Sequence, residues 1–111
     1  ALTGIWTVVS AEEGGRPSEE SIKTSEVLII DDMFSLYDDE NRRTMKYTAD
    51  PSASPARIDL DWDGLVQPGI YELNGDELTV CYDQSGKERP AAFESGGGEE
   101  FLLLTLRRKP E

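Results

Sequence analysis

The sequence predicts an all-β domain, a small antiparallel up-and-down barrel of about eight strands. Three observations carry this. Apolar residues come in short runs with a period near two. Turn-forming residues interrupt these runs about every ten positions. Asn74-Gly75 lies between two such runs, the strongest short-range hairpin signal, because a type I′ turn needs positive φ at both central positions. The 111 residues are enough to bury a core without staples, and with no repeat or second domain visible, residues 1–111 are read as one domain.

Ile5-Trp6-Thr7-Val8-Val9 begins the first strand, and Gly14-Gly15-Arg16-Pro17 breaks it. Pro17 to Lys23 is expected to form a short helical turn, with Pro17 suited to its first position. Val27-Leu28-Ile29-Ile30 and Phe34-Ser35-Leu36-Tyr37 are the second and third strands, joined tightly through Asp31-Asp32. Asp38-Asp39-Glu40-Asn41 turns the chain into a fourth, Thr44 to Ala49, where Met45 and Tyr47 share a face. The segment Asp50-Pro51-Ser52-Ala53-Ser54-Pro55 is a loop, since each proline lacks the N–H a ladder needs.

The fifth strand, Arg57 to Trp62, turns Ile58, Leu60 and Trp62 inward and Asp59 and Asp61 outward. Strands Gly69 to Leu73 and Asp76 to Tyr82 flank Asn74-Gly75. That register sets Tyr71 opposite Leu78 and Glu72 opposite Glu77, a like-charge pair tolerable only in water. It turns Tyr71, Leu78 and Val80 inward and puts Cys81 on the other face. Ser95 to Glu100, with three glycines, is a loop, and Phe101 to Leu106 is the last strand, ended by Arg107-Arg108-Lys109.

Eleven basic residues against 23 acidic ones give a formal net charge of −12. Such a field repels phosphate backbones and anionic membrane surfaces, so no nucleic-acid partner is expected. Cationic ligands, metal ions and basic proteins stay open, beside the plainer reading that the charge keeps the domain soluble. The chain has no histidine, which removes imidazole acid–base chemistry, His-dependent nucleophile systems and most zinc or haem sites. Cys81 is the lone cysteine, so no internal disulfide forms. The longest apolar run, Phe101-Leu102-Leu103-Leu104, is strand-sized, far short of a membrane-spanning helix, so no membrane insertion is expected. The opening Ala1-Leu2-Thr3-Gly4 carries no leader and suits an exported mature form or a module of a larger protein; the compartment stays open.

Several motifs line up in order. Gly4-x-Trp6 precedes Ser10-Ala11-Glu12-Glu13-Gly14-Gly15, and Asp50-Pro51 precedes Pro55-x-x-Ile58-Asp59. Gly69-Ile70-Tyr71-Glu72-Leu73-x-Gly75-Asp76-x-Leu78 runs on to Cys81-Tyr82, followed by Arg89-Pro90-x-x-Phe93 and a Leu-rich final strand ending in Arg. Across almost its whole length the chain resembles the lipocalin-like domain family of unknown function abundant in planctomycetes. The resemblance implies a calycin-type β-barrel with no established reaction and lends no catalytic residue. It also implies a closure in which Trp6 packs under Arg107 or Arg108 at one end of the barrel. Asp61-Trp62-Asp63-Gly64 stands where the family carries a longer, more basic loop.

The residues offer two candidate sites. A ligand pocket lined by Tyr47, Trp62, Tyr71, Leu78, Val80 and Phe93, with Arg89 as a donor fork, would accept a small apolar or cationic molecule. Equally, Arg89 would hold its loop by pairing with Asp59 or Asp76, and strands of about six residues lean toward a barrel filled by its own side chains. Asp59, Asp61 and Asp63, followed by Gly64, match the first half of a calcium loop, although the twelfth position is Ile70 and not an acid. Calcium is thus the one candidate cofactor. Cys81 reads as an apolar filler, having no basic neighbour in sequence.

Three functions follow in order. The first is a non-catalytic binding domain for a small ligand. The alternative is a module with a filled barrel that binds a basic protein or calcium. The third is a carboxylate-based enzyme, for which no catalytic motif stands out.

Overall fold

Every predicted apolar run forms a strand, and apart from one two-residue ribbon the strands pair in chain order. The computed structural model describes residues 2–17, 24–38, 42–97 and 100–109. Among these the strands are β1 (Gly4–Glu13), β2 (Arg16–Pro17), β3 (Thr24–Ile30), β4 (Met33–Asp38), β5 (Arg42–Asp50), β6 (Ala56–Trp62), β7 (Leu65–Asn74), β8 (Glu77–Asp83) and β9 (Phe101–Arg108). All pairings are antiparallel, and β1 pairs with β9 as well as β3, which closes an eight-stranded barrel. β2 adds a two-residue ribbon to the end of β1. Most strands run longer than the sequence runs suggest, up to 10 residues in β1 and β7, because backbone pairing continues past the apolar stretch.

Two expectations need correction. Pro17 is extended, paired with Glu12 in β2, and does not open a helical turn; 18–23 lie outside the described residues. Among the described residues the one helical piece is a 3₁₀ turn at Ser95–Gly97. The β7–β8 turn also sits one residue later than predicted. Asn74 pairs with Glu77, so Gly75-Asp76 forms the loop, with Gly75 at φ 62°. Glycine at the first central position is what a type II′ hairpin requires. The shift places Glu72 opposite Thr79, so the Glu72–Glu77 repulsion is avoided. Side-chain parity is unchanged, and Tyr71, Leu78 and Val80 do face inward.

Among the described residues, one apolar cluster occupies the interior. Trp6, Phe34, Met45, Ile58, Leu60, Leu78, Val80, Leu104 and Leu106 are all at most 1–2% exposed and belong to one apolar cluster. The lower end of the barrel, where β1 begins, carries the Asp31-Asp32 turn, the Pro51–Pro55 loop, the Gly75-Asp76 turn and the end of β9. Here the Arg108 guanidinium stacks 4.3 Å from the Trp6 ring, while Arg107 lies exposed. Gly4 makes this approach possible, since a Cβ there would sit 2.7 Å from Arg108 Nη1. Arg108 Nη1 donates to Thr3 O, its backbone N–H to Asp76 O, and Trp6 Nε1 to Leu2 O at 3.0 Å. Leu2 is thereby drawn into the core at 5% exposure.

Candidate functional site

The long connection between β8 and β9 decides where a site is built. Alternation along β7, β8 and β9 assigns Ile70, Cys81 and Phe101 to the outer face, yet all three are buried. The segment from Gln84 to Gly97 lies over them. It starts at Asp83, whose carboxylate accepts the Ser85 hydroxyl (2.6 Å) and the backbone N–H groups of Ser85 (2.9 Å), Glu88 (2.8 Å) and Lys87 (3.1 Å). Burial works to raise the pKa of Asp83, but these donors together outweigh it and hold the group below its ordinary value.

Arg89 is the second anchor. Its Nη2 pairs with Asp59 Oδ1 at 2.7 Å and its Nη1 donates to Gly69 O at 2.7 Å, tying the segment across β6 and β7. The Glu94 carbonyl then accepts the Cys81 thiol at 3.7 Å. Ser95 Oγ accepts the Gly15 N–H at 3.0 Å and donates to Glu12. These fixed points carry Phe93 down the outside of the barrel toward its lower end.

There Phe93 meets the β5–β6 loop and the N-terminal residues, and together they border an open groove of about 570 Å³. Its apolar walls are Leu2, Pro51, Pro55, Ala56 and Leu73. The loop is shaped by Asp50, whose Oδ1 accepts the Ser52 hydroxyl (2.5 Å) and backbone N–H (3.0 Å). Those two bonds, the hydroxyl first, lower the Asp50 pKa. The prolines flanking the loop present ring carbons and no N–H donor, so the wall needs no polar partner there. Ala56 stands opposite Tyr71 across β6–β7, and its small side chain leaves the Tyr71 ring as part of the groove. Burial, then the Asp50 charge, raise the Tyr71 pKa, so the phenol is neutral at physiological pH. Ser54 and Glu72 complete the lining, and Glu72 is its one charged residue.

Of the sequence-predicted ligand residues, Tyr71 and Phe93 come together on this groove. Leu78 and Val80 are fully buried core. Tyr47 packs partly buried against Phe34, ring centroids 6.5 Å apart and edge-on. Trp62 is 42% exposed at the upper end, beneath the Arg43 guanidinium at 4.0 Å. Arg89 clamps the outer segment. The three aspartates considered for calcium are dispersed in role. Asp59 pairs with Arg89, Asp61 Oδ1 accepts the Gly64 N–H at 2.9 Å, and Asp63 (φ 53°) with Gly64 (φ 92°) turns β6 into β7. Among the described residues no group of three carboxylate or cysteine side chains is placed to hold a metal ion.

Sequence reasoning missed Leu2, Ala56, Leu73 and the proline loop as one surface, because the long β8–β9 connection that completes it has no period to read. One sign was available. Ile70, Cys81 and Leu103 fall at directly paired outward positions, an apolar stripe that demands a cover.

That cover makes the Cys81 thiol inert. Burial pushes its pKa up to about 11, so at pH 8 the thiolate is scarce as well as shielded. The native protein should therefore leave a thiol-reactive disulfide dye unreacted over an hour at pH 8, and titrate one thiol after denaturation. Rapid labelling of the folded protein would show that the segment does not cover β8.

In comparison with family models, with curated proteins and with solved structures, the chain matches none.

Proposed function

We propose that the chain is a non-catalytic binding domain of lipocalin-like type, whose ligand is a small molecule with an apolar body seated in the lower-end groove. The observation that supports this is the groove of about 570 Å³ at the rim, walled mostly by apolar side chains and lying beside a tightly buried core. Pockets for small ligands run from roughly 300 to 1,000 Å³ and combine apolar walls with few polar groups. Burial of apolar ligand surface drives binding at about 25 cal/mol per Å² before the losses of association are counted.

Titration of ¹⁵N-labelled protein with octanol tests the reading. Shift changes should gather at the backbone amides of Ala56, Leu73 and Phe93, and Ala56→Trp should weaken binding with little change in melting temperature. Shift changes absent at millimolar octanol, or spread over β3 and β4, would count against it.

A second reading, a protein-interaction module, is favoured by one feature. Ile30 and Met33 are each 45% exposed as a cross-strand pair, beside a shallow hollow of about 210 Å³ on the outer face of β3–β5. Apolar residues exposed side by side on a β-face are a common mark of contact surfaces.

A further inference from the structure

The groove brings together two aromatic side chains, Tyr71 and Phe93, and one carboxylate, Glu72, with no lysine or arginine among its lining residues. We infer that it selects an organic ammonium ion, a cationic head group carried on an apolar body, with Glu72 as the residue that sets this specificity. The inference rests on the small-ligand reading of the groove and names the ligand class.

Three attractions of the same sign favour a cation here. An ammonium or quaternary ammonium group is attracted to the negative face of an aromatic ring, the more so when other walls exclude water. A carboxylate at the mouth adds direct charge attraction, and being exposed it can pair with the cation without a large desolvation cost. The chain's net charge of −12 raises the local concentration of any cation and repels an anion of the same shape. The Tyr71 phenol stays neutral and so adds no charge of its own to the groove. The apolar walls, Leu2, Pro55 and Leu73, then take the hydrocarbon body. A neutral amphiphile would use those walls alone.

Three probes of equal chain length test this: octyltrimethylammonium, octanol and octanoate, each titrated below micelle formation and followed at the amides of Leu73 and Phe93. The cation should bind roughly three- to tenfold more tightly than octanol, the range expected of one exposed charge pair plus one cation–π contact. Octanoate should bind more weakly than octanol. Glu72→Gln should bring the cation close to the affinity of octanol and leave octanol unchanged. Glu77→Gln removes the same charge from β8, outside the groove lining, and should have little effect, which separates Glu72 from the general field. Phe93→Leu keeps an apolar wall and should cost the cation more than octanol. Equal affinity of cation and octanol in the wild-type protein, or a cation preference that survives Glu72→Gln and Phe93→Leu, would overturn the ammonium assignment while the groove stands. Failure of all three probes to bind would remove the groove reading itself.

Discussion

Trp6→Ala is expected to lower the stability of the domain by about 3–5 kcal/mol, the largest loss of any single change considered, as is usual for a buried Trp cut to Ala. Trp6 is 0% exposed and lies in the main apolar cluster. Removing it opens a cavity and leaves the Arg108 guanidinium without the ring 4.3 Å beneath it. It also leaves the Leu2 carbonyl without the indole N–H that it accepts at 3.0 Å, so Leu2 loses its anchor in the core. Three losses thus fall on one end of the barrel. For a domain of this size such a change corresponds to a drop in melting temperature of roughly 15 °C or more. Urea denaturation of the variant would check the figure. A loss below about 1 kcal/mol, well under the buried-Trp range, would mean that the lower end is not tied to the core through this residue.

Asp83→Asn is expected to cost about 2–3 kcal/mol at neutral pH, because one buried carboxylate accepts four donors and an amide can accept fewer. Asp83 is 3% exposed, so its carboxylate relies on these donors and not on water. The effect carries a pH signature. The folded-state pKa of Asp83 lies below its ordinary value of 3.8, so its contribution is fully present above about pH 5. It is lost as pH falls below 4 through the lowered folded value. The stability gap between wild type and Asp83→Asn should therefore narrow on acidification, since asparagine does not titrate. A gap that stays constant from pH 7 to pH 3 would show that the carboxylate charge is not what orders the segment. The variant should also loosen residues 84–97 selectively, read as faster amide exchange at Lys87 and Glu88. Because Phe93 rides on that segment, ligand binding in the groove should weaken with it.

Much of the fold was legible in the sequence for a simple reason. A half-buried strand writes its two faces in alternation, and Ile58 and Leu60 stand where alternation placed them, whereas Trp62, placed inward with them, ends 42% exposed at the open end of the strand. The turns were legible too, though Gly75 took the first central position and not the second, since a glycine signals positive φ but does not say which turn uses it. Arg89 was read as either a ligand donor or a clamp on Asp59 or Asp76; the 2.7 Å pair with Asp59 and the bond to Gly69 O set it in the clamp. The pocket residues were legible only in part. Tyr71 and Phe93 share a groove, whereas Leu78 and Val80 fill the core, because parity tells which face a side chain takes and not whether space remains there.

By itself, then, the sequence determined an acidic all-β barrel, its strand order, most of its inward faces and the absence of histidine chemistry, since these follow from local period, turn residues and composition. Tertiary structure alone decided that Leu78 and Val80 are packed into the core, that Arg108 and not Arg107 caps Trp6, and that an aperiodic segment pinned by Asp83 and Arg89 delivers Phe93 to the lower rim. Those outcomes depend on which atoms approach across more than fifty residues of chain, from Leu2 to Ala56 and on to Phe93. Local preferences carry no record of such distances; packing and charge pairing in the closed barrel set them.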